Sequence, residues 1–368
     1  MNPFIYLRAL RYVEHSVFSV ADGQKFYREP LYGNRSAYSS GQQVKRSVLE
    51  DFANRLSIPF APITFNWTIT KENKAEQGEA WSLCDPSFPD QLIGGYMKAE
   101  KDTATVKRRS PLSISAMRPL HPLLGGLENE GEAMSFDRGA TADRHMVNVY
   151  REVNGKREKM SDEDVSGWLA DTKRALPPKK WIEPQKRATG LFAYDVAVDL
   201  RTLFCVSVNQ LEPEIYPEAI EKLKAAGWVE GENVFGRCLI CPAAERQRII
   251  PALAEALLNW RITSNQSRTF SLMETLAVAI HNNANQVAYA IRAELDEEKE
   301  RSAKPTIDET SKAKIFLTPS VSGYIKGLSG SALALDDAAA YVTEQMLVFP
   351  YEKQMQKKST VADGGETG

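Results

Sequence analysis

The chain has 368 residues, of which 43% are hydrophobic, so it can bury a sizeable core as one elaborated domain or two. Its 46 Lys+Arg and 48 Asp+Glu leave a formal net charge of -2, which excludes a generally basic nucleic-acid binder and confines any polyanion site to local clusters. No apolar run reaches bilayer length, and charges interrupt MNPFIYLRALRYVEHSV where a signal peptide needs an unbroken apolar segment, so a cytoplasmic protein without membrane contact is expected.

Residues 3 to 20, PFIYLRALRYVEHSVFSV, are rich in β-branched and aromatic residues and partly alternate, which predicts a long strand. A loop over 21 to 39 follows. Ser40 and Gln43 have the S-x-x-Q spacing of a capping box, so a helix starts near Gly41; Val44, Val48, Phe52 and Leu56, with Leu49 alongside, draw its buried stripe. Residues 61 to 70, APITFNWTIT, alternate as a second strand, and from 71 to 145 the pattern is irregular, as in an insertion with short strands. A helix over 161 to 176 carries Val165, Trp168, Leu169 and Leu176 and is stopped by Pro177 and Pro178. Residues 190 to 209, GLFAYDVAVDLRTLFCVSVN, are the clearest strand, apolar enough to be central in a sheet. Helices follow at EAIEKLKAAG, ended by Gly227, and at AAERQRIIPALAEALLNW, with Ile249, Leu253, Leu257 and Trp260 on one face. After the polar loop SNQSR, a long helix is predicted over 272 to 300 and a last one over 333 to 347, before a polar, Gly-rich tail. This order indicates an α+β fold: an antiparallel sheet with helices mainly on one side, interrupted by two insertions.

Charge is segregated along the chain. Basic runs occur as KRR at 107 to 109, REVNGKREK at 151 to 159, and Lys173, Arg174, Lys179, Lys180, Lys186 and Arg187; acid concentrates in 122 to 137 and 292 to 309. In SSGQQVKR, Lys45 and Arg46 occupy the opening turns of a helix, among free amides and small hydroxyls at the positive end of its dipole, which is the chemistry of an anion site. Arg46 points away from the apolar stripe; Lys45 lies nearer its edge, in turns expected to project beyond what the helix packs on. The plain alternative is a capped surface helix with solvated charges. Of the four cysteines, Cys238 and Cys241 form a C-x-x-C pair, but the other candidate ligands are Cys84, Cys205 and four scattered histidines, so the pair reads as reduced residues on a strand and neither metal nor cofactor is expected.

Five segments in order carry a resemblance: RALRYVEHSVFSVADGQ, SSGQQVKR, GGYMKAEKDTATVKRRSPLSIS, GLFAYDVAVDL and LLNWRITSNQSRTF. Over most of residues 3 to 346 the chain resembles the DevR-type backbone subunit of type I CRISPR surveillance complexes (Cascade), within the repeat-associated RAMP superfamily. The resemblance implies a modified RNA-recognition-motif (ferredoxin-like) palm at 1 to 66 and 188 to 350, a fingers insertion at 67 to 147 and a thumb hairpin at 148 to 187, while composition alone leaves 351 to 368 as a disordered tail. It implies a filament of copies packed head to tail along one CRISPR RNA, which then pairs with target DNA beside other Cascade subunits. On this reading Ser39, Ser40, Gln42 and Gln43 donate to the guide backbone, Lys45 and Arg46 neutralise it, Gln266, Ser267 and Arg268 form a second phosphate loop, and Lys107, Arg108 and Arg109 lie near RNA or displaced DNA. Lys156 and Arg157, beside Gly155, mark a turn of the thumb, with Lys179, Lys180, Lys186 and Arg187 on its returning arm. Trp168 or Met160 would pack within the thumb or wedge a kinked base.

Other readings compete with this one. The usual aromatic pair of RNA-recognition motifs is missing, so binding by loops and helix ends is expected rather than stacking on the sheet. Type III backbone subunits cut target RNA with a loop aspartate and a metal, and Asp22 lies in about the corresponding loop; one carboxylate in an ADG turn is a weak basis for such chemistry. A phosphate-binding metabolic enzyme would need a fingerprint such as G-x-G-x-x-G or G-x-x-x-x-G-K-S, which the chain lacks. Asp195 and Asp199 share one strand face and suit edge or turn pairing, so a non-enzymatic protein is expected.

Overall fold

A computed structural model describes residues 2–18, 24–99, 105–129, 134–135, 147–153, 155–174, 176, 180–182, 186–262, 270–299 and 301–355. The chain divides into two compact units, residues 1–127 with 188–368 and residues 128–187. In chain order the first contains β1 (Phe4–Ser16), α1 (Gly41–Leu56), α2 (Pro89–Gly94), β2 (Val106–Arg108), β3 (Leu112–Ile114), β4 (Lys186–Asp199) and α3 (Leu200–Leu203). After these come β5 (Cys205–Ser207), β6 (Val229–Asn233), β7 (Gly236–Ile240), α4 (Ala243–Asn259), β8 (Glu274–His281), β9 (Lys314–Leu317) and α5 (Ala334–Leu347).

β1 is central because its two faces each have something to bury. The main sheet runs β3–β4–β1–β8–β9, every pair antiparallel, with Phe4 opposite Asp199 and Tyr6 opposite His281. Ile5, Leu7, Ala9 and Val13 alternate onto one face and join a core with Val44, Val48 and Phe52 of α1 and Leu253, Leu257 and Leu258 of α4. Leu10 on the other face packs with Leu191, Leu276, Val287, Ala290 and Ile291, so the short helix Ala284–Ala290 covers that face. The structure is therefore α+β, with helices on one side of an antiparallel sheet and a smaller cover on the other.

Helix α1 starts at Gly41, with Ser40 accepting from the Gln43 amide at 3.3 Å, and buries Val44, Val48 and Phe52 as the periodicity predicts. Several expectations fail, among them the strand over 190 to 209, which ends at Asp199 and gives way to α3 and β5, and the helix over 161 to 176, which ends at Thr172. Residues 272 to 300 form strand β8, the short helix and a strand Ile291–Leu295 rather than one helix, because Thr275 through Ile280 are buried on both faces of the sheet and such a run has no strand period to read. Residues 61 to 70 make two short strands, Ile63–Thr64 and Trp67–Ile69, in a hairpin with Ala75–Gln77 and Trp81–Ser82 outside the main sheet. Their alternation segregates one apolar face, yet Ile63, Phe65, Trp67 and Ile69 are all exposed.

The packed chain also extends past the expected start of the tail. Tyr351 is buried, its ring 5.3 Å from Phe204 and 5.0 Å from Phe349, and its hydroxyl donates to the Met346 carbonyl. Aromatic burial fixes residues that composition alone assigns to a polar tail.

The second unit contains a hairpin, Tyr150–Val153 against Lys156–Lys159, and a helix, Asp162–Thr172, capped by Ser161. None of the helix residues is buried, and the hairpin strands are exposed throughout. Among the described residues of the chain, no helix is long and apolar enough to cross a membrane.

Candidate nucleic-acid interface

The start of α1 is less open than its sequence implies. Ser39 is fully buried, its backbone bridged to Met117 in both directions and its hydroxyl without a hydrogen-bond partner among the described residues, so it is no surface donor. Lys45 does not project: Nζ donates to the Gly94 carbonyl at 2.7 Å, which places the ammonium on the C-terminal end of α2, and desolvation lowers its pKa to about 8. The cause is that α2 packs against the opening turns of α1, which the sequence reading left free. What remains outward is Gln42, part of Gln43, and Arg46, which pairs with Glu50 at 2.7 Å and lies 4.4 Å over the Phe60 ring.

The glycines of the GGYM segment serve the same packing. Gly95 has φ +74, and a Cβ there would stand 2.7 Å from both the Arg108 carbonyl oxygen and the Ser110 amide nitrogen, so only glycine lets the chain after α2 approach the end of β2.

Strand alternation divides the KRR run. Arg108 points inward, fully buried, donating to the carbonyls of Leu92 (3.2 Å), Cys205 (2.8 Å) and Thr202 (2.7 Å) and to Glu214 (3.1 Å). It holds the segment after β4 onto β2 and is not available to a ligand. Its neighbours Lys107 and Arg109 point outward into a cleft of about 970 Å³ that also receives Arg201, Arg237, Ser113, Asn209 and Phe235. Two carboxylates of this cleft are already occupied: Asp199 by Arg201 at 2.8 Å, Glu214 by Arg108 and by the Ser207 amide at 2.9 Å. Asp195 is similarly held, by Arg8 Nε and Nη2 at 2.6 and 3.0 Å, so the strand aspartates are pairing groups.

In the second unit, Gly155 (φ +75) turns the hairpin, and Lys156 and Arg157 are exposed on it opposite Val153 and Glu152. With Arg151 and Lys159 they make a ribbon of four cations, offset in part by Glu158 opposite Arg151 and Glu152 opposite Arg157. Trp168 is 36% exposed, on a helix with no fully buried residue. Arg187 is buried rather than an exposed charge. Gln266, Ser267, Arg268, Asp22, Lys179 and the side chain of Lys180 lie outside the described residues.

All four cysteines are free and buried, and among the described residues no group of three or more His, Cys, Asp or Glu is placed to hold a metal. Sequence reasoning missed Arg201, Arg237 and Phe235 in the cleft; they come from segments far apart in the chain, and only the fold brings them together.

No family model matches the chain, and no curated protein does. Among solved structures the chain is similar to one described as "CRISPR RNA-guided surveillance complex, pre-nicking", with a TM-score of 0.41 and 11% identity over 93% of this chain and 88% of that one. It is also similar to one described as "CRISPR RNA-guided surveillance complex", with a TM-score of 0.35 and 12% identity over 94% of this chain and 85% of that one.

Proposed function

We propose that this chain is a backbone subunit of a type I guide-RNA surveillance complex, a non-catalytic protein that polymerises along a CRISPR RNA and presents it for pairing with target DNA. The observation that carries the reading is the topology. Strands β3–β4–β1–β8 with α1 and α4 on one face follow the β-α-β-β-α-β order of a ferredoxin-like, RNA-recognition-motif palm. The five ordered sequence segments give independent support. The face opposite the helices, where such a palm would stack bases, is closed by the helix Ala284–Ala290. Guide RNA is therefore held at loop and helix ends and by the basic hairpin, through phosphate contacts that leave the sequence to be read by base pairing.

On this reading Gln42 and Arg46 of the first unit, and Lys156 and Arg157 of the second, contact the guide backbone, while Ser39 and Lys45 maintain the helix start behind them. Copies of the chain and the other Cascade subunits are the protein partners. Expression beside its genomic neighbours, followed by sequencing of co-purified nucleic acid, tests the proposal. The expected result is a large particle carrying uniform short RNAs with a common repeat-derived end. A monomer free of RNA in the presence of its neighbours would refute it.

A further inference from the structure

The cleft beside β2 has features that guide binding by the hairpin and α1 does not use. Its internal acids are neutralised, as Asp199 and Glu214 are held by Arg201 and Arg108. Lys107 and Arg109 face it with no ion-pair partner among the described residues, and Arg237 reaches only Glu230, at 3.9 Å. Glu212 is the one remaining lining acid, so the groups still open to a ligand are net positive.

The aromatic component is equally specific. Asn233 and Gly236 close a two-residue turn whose tip residues are Val234 and Phe235, 49% and 65% exposed where such turns ordinarily carry Asn and Gly. The Asn233 side chain accepts from the Phe235 amide at 2.8 Å and fixes the tip. The Arg201 guanidinium lies 5.0 Å from the Phe235 centroid and 4.9 Å from that of Phe4, which supports the ring at the cleft edge. The rest of the ring surface is open. An exposed aromatic against Arg201, in a cleft with unpaired cations and the polar side chains of Ser113, Ser207 and Asn209, is the composition of a site for single-stranded nucleic acid, with phosphate on the cations and a base against the ring.

We propose that this cleft binds a segment of single-stranded nucleic acid, with Lys107 and Arg109 on the phosphates and Phe235 as the stacking platform. The proposal stands apart from the guide contacts of the hairpin and α1. The test is photocrosslinking of the RNA-loaded complex, or of the bare chain if none forms, with a 12-nucleotide strand bearing 4-thiothymidine, followed by peptide mapping. A crosslink is expected within residues 229 to 240, lost in Phe235→Ala and in the double variant Lys107→Glu, Arg109→Glu, while crosslinks elsewhere persist. Anisotropy with the same strand should show about tenfold weaker binding in Phe235→Ala, as expected for one stacked base. Absence of that crosslink, its indifference to the variants, or displacement of the strand by poly-glutamate at the same site would overturn the proposal. Crosslinks confined to 150 to 159 would leave guide binding standing and remove this site.

Discussion

Replacing Arg108 separates structure from binding within a single basic run. The fully buried guanidinium donates to the carbonyls of Leu92, Cys205 and Thr202 and pairs with Glu214, tying β2 and α2 to the segment after β4. Arg108→Ala leaves three carbonyls without this donor and a partly buried carboxylate without its cation. At about 1 kcal/mol for each orphaned acceptor, with more for the broken ion pair, the loss is about 3–5 kcal/mol. Lys107→Ala and Arg109→Ala, whose side chains face the cleft, should each change stability by about 0.5 kcal/mol or less. Thermal unfolding of the three variants reads the contrast directly, with Arg108→Ala lower by about 4–8 °C and the neighbours within about 1 °C of the parent. Equal shifts in all three would show that β2 does not alternate as described, and the cleft would lose its two outward cations.

Three further outcomes follow from particular contacts. Arg11 is fully buried, donates to the carbonyls of Leu258 and Trp260 at the end of α4 and lies 4.3 Å over the Trp260 ring; Arg11→Ala should cost about 3–5 kcal/mol and Arg11→Met, which keeps the volume, clearly less, as measured by urea unfolding. Lys45 has its pKa lowered by desolvation from 10.5 to about 8, so between those values the unfolded chain binds more protons than the folded one, and the stability of the parent relative to Lys45→Met should rise with pH through that window; a flat difference between pH 7.5 and 10 would contradict the burial of the ammonium. The double variant Lys156→Ala, Arg157→Ala should lower the slope of log K against log salt for RNA by about 1.4 without changing thermal stability, and an unchanged slope would remove both residues from the guide contacts.

Much of the scaffold could be read from local chemistry. The Ser40 cap, the Val44–Val48–Phe52 stripe and the alternation of Phe192, Tyr194, Val196 and Val198 in β4 each follow from rules that operate within one element. The misreadings occurred where a neighbour decides. Thr275 through Ile280 form a strand only because β1 and β9 flank them, and the segment 63 to 82 lies outside the main sheet although its alternation is that of a half-buried strand. Tyr351 belongs to the core because Phe204, distant in sequence, lies against it.

The candidate site divides along the same line. Residue type and position at a helix start identify Lys45 as a cation near free amides, but whether it meets solvent or a carbonyl depends on where α2 ends, and that is tertiary information. Likewise KRR appears as three equivalent charges in the sequence, whereas the pleat sends the middle one into a web of carbonyls and the outer two toward a cleft. The buried members are not incidental to binding. Arg108, buried, occupies Glu214, and Arg201, in the cleft wall, occupies Asp199, so these two acids no longer oppose an anion, and the positive character of the cleft depends on these two arginines as well as on Lys107, Arg109 and Arg237. A variant that frees Glu214, such as Arg108→Met, should therefore weaken strand binding at the cleft even though Lys107 and Arg109 remain.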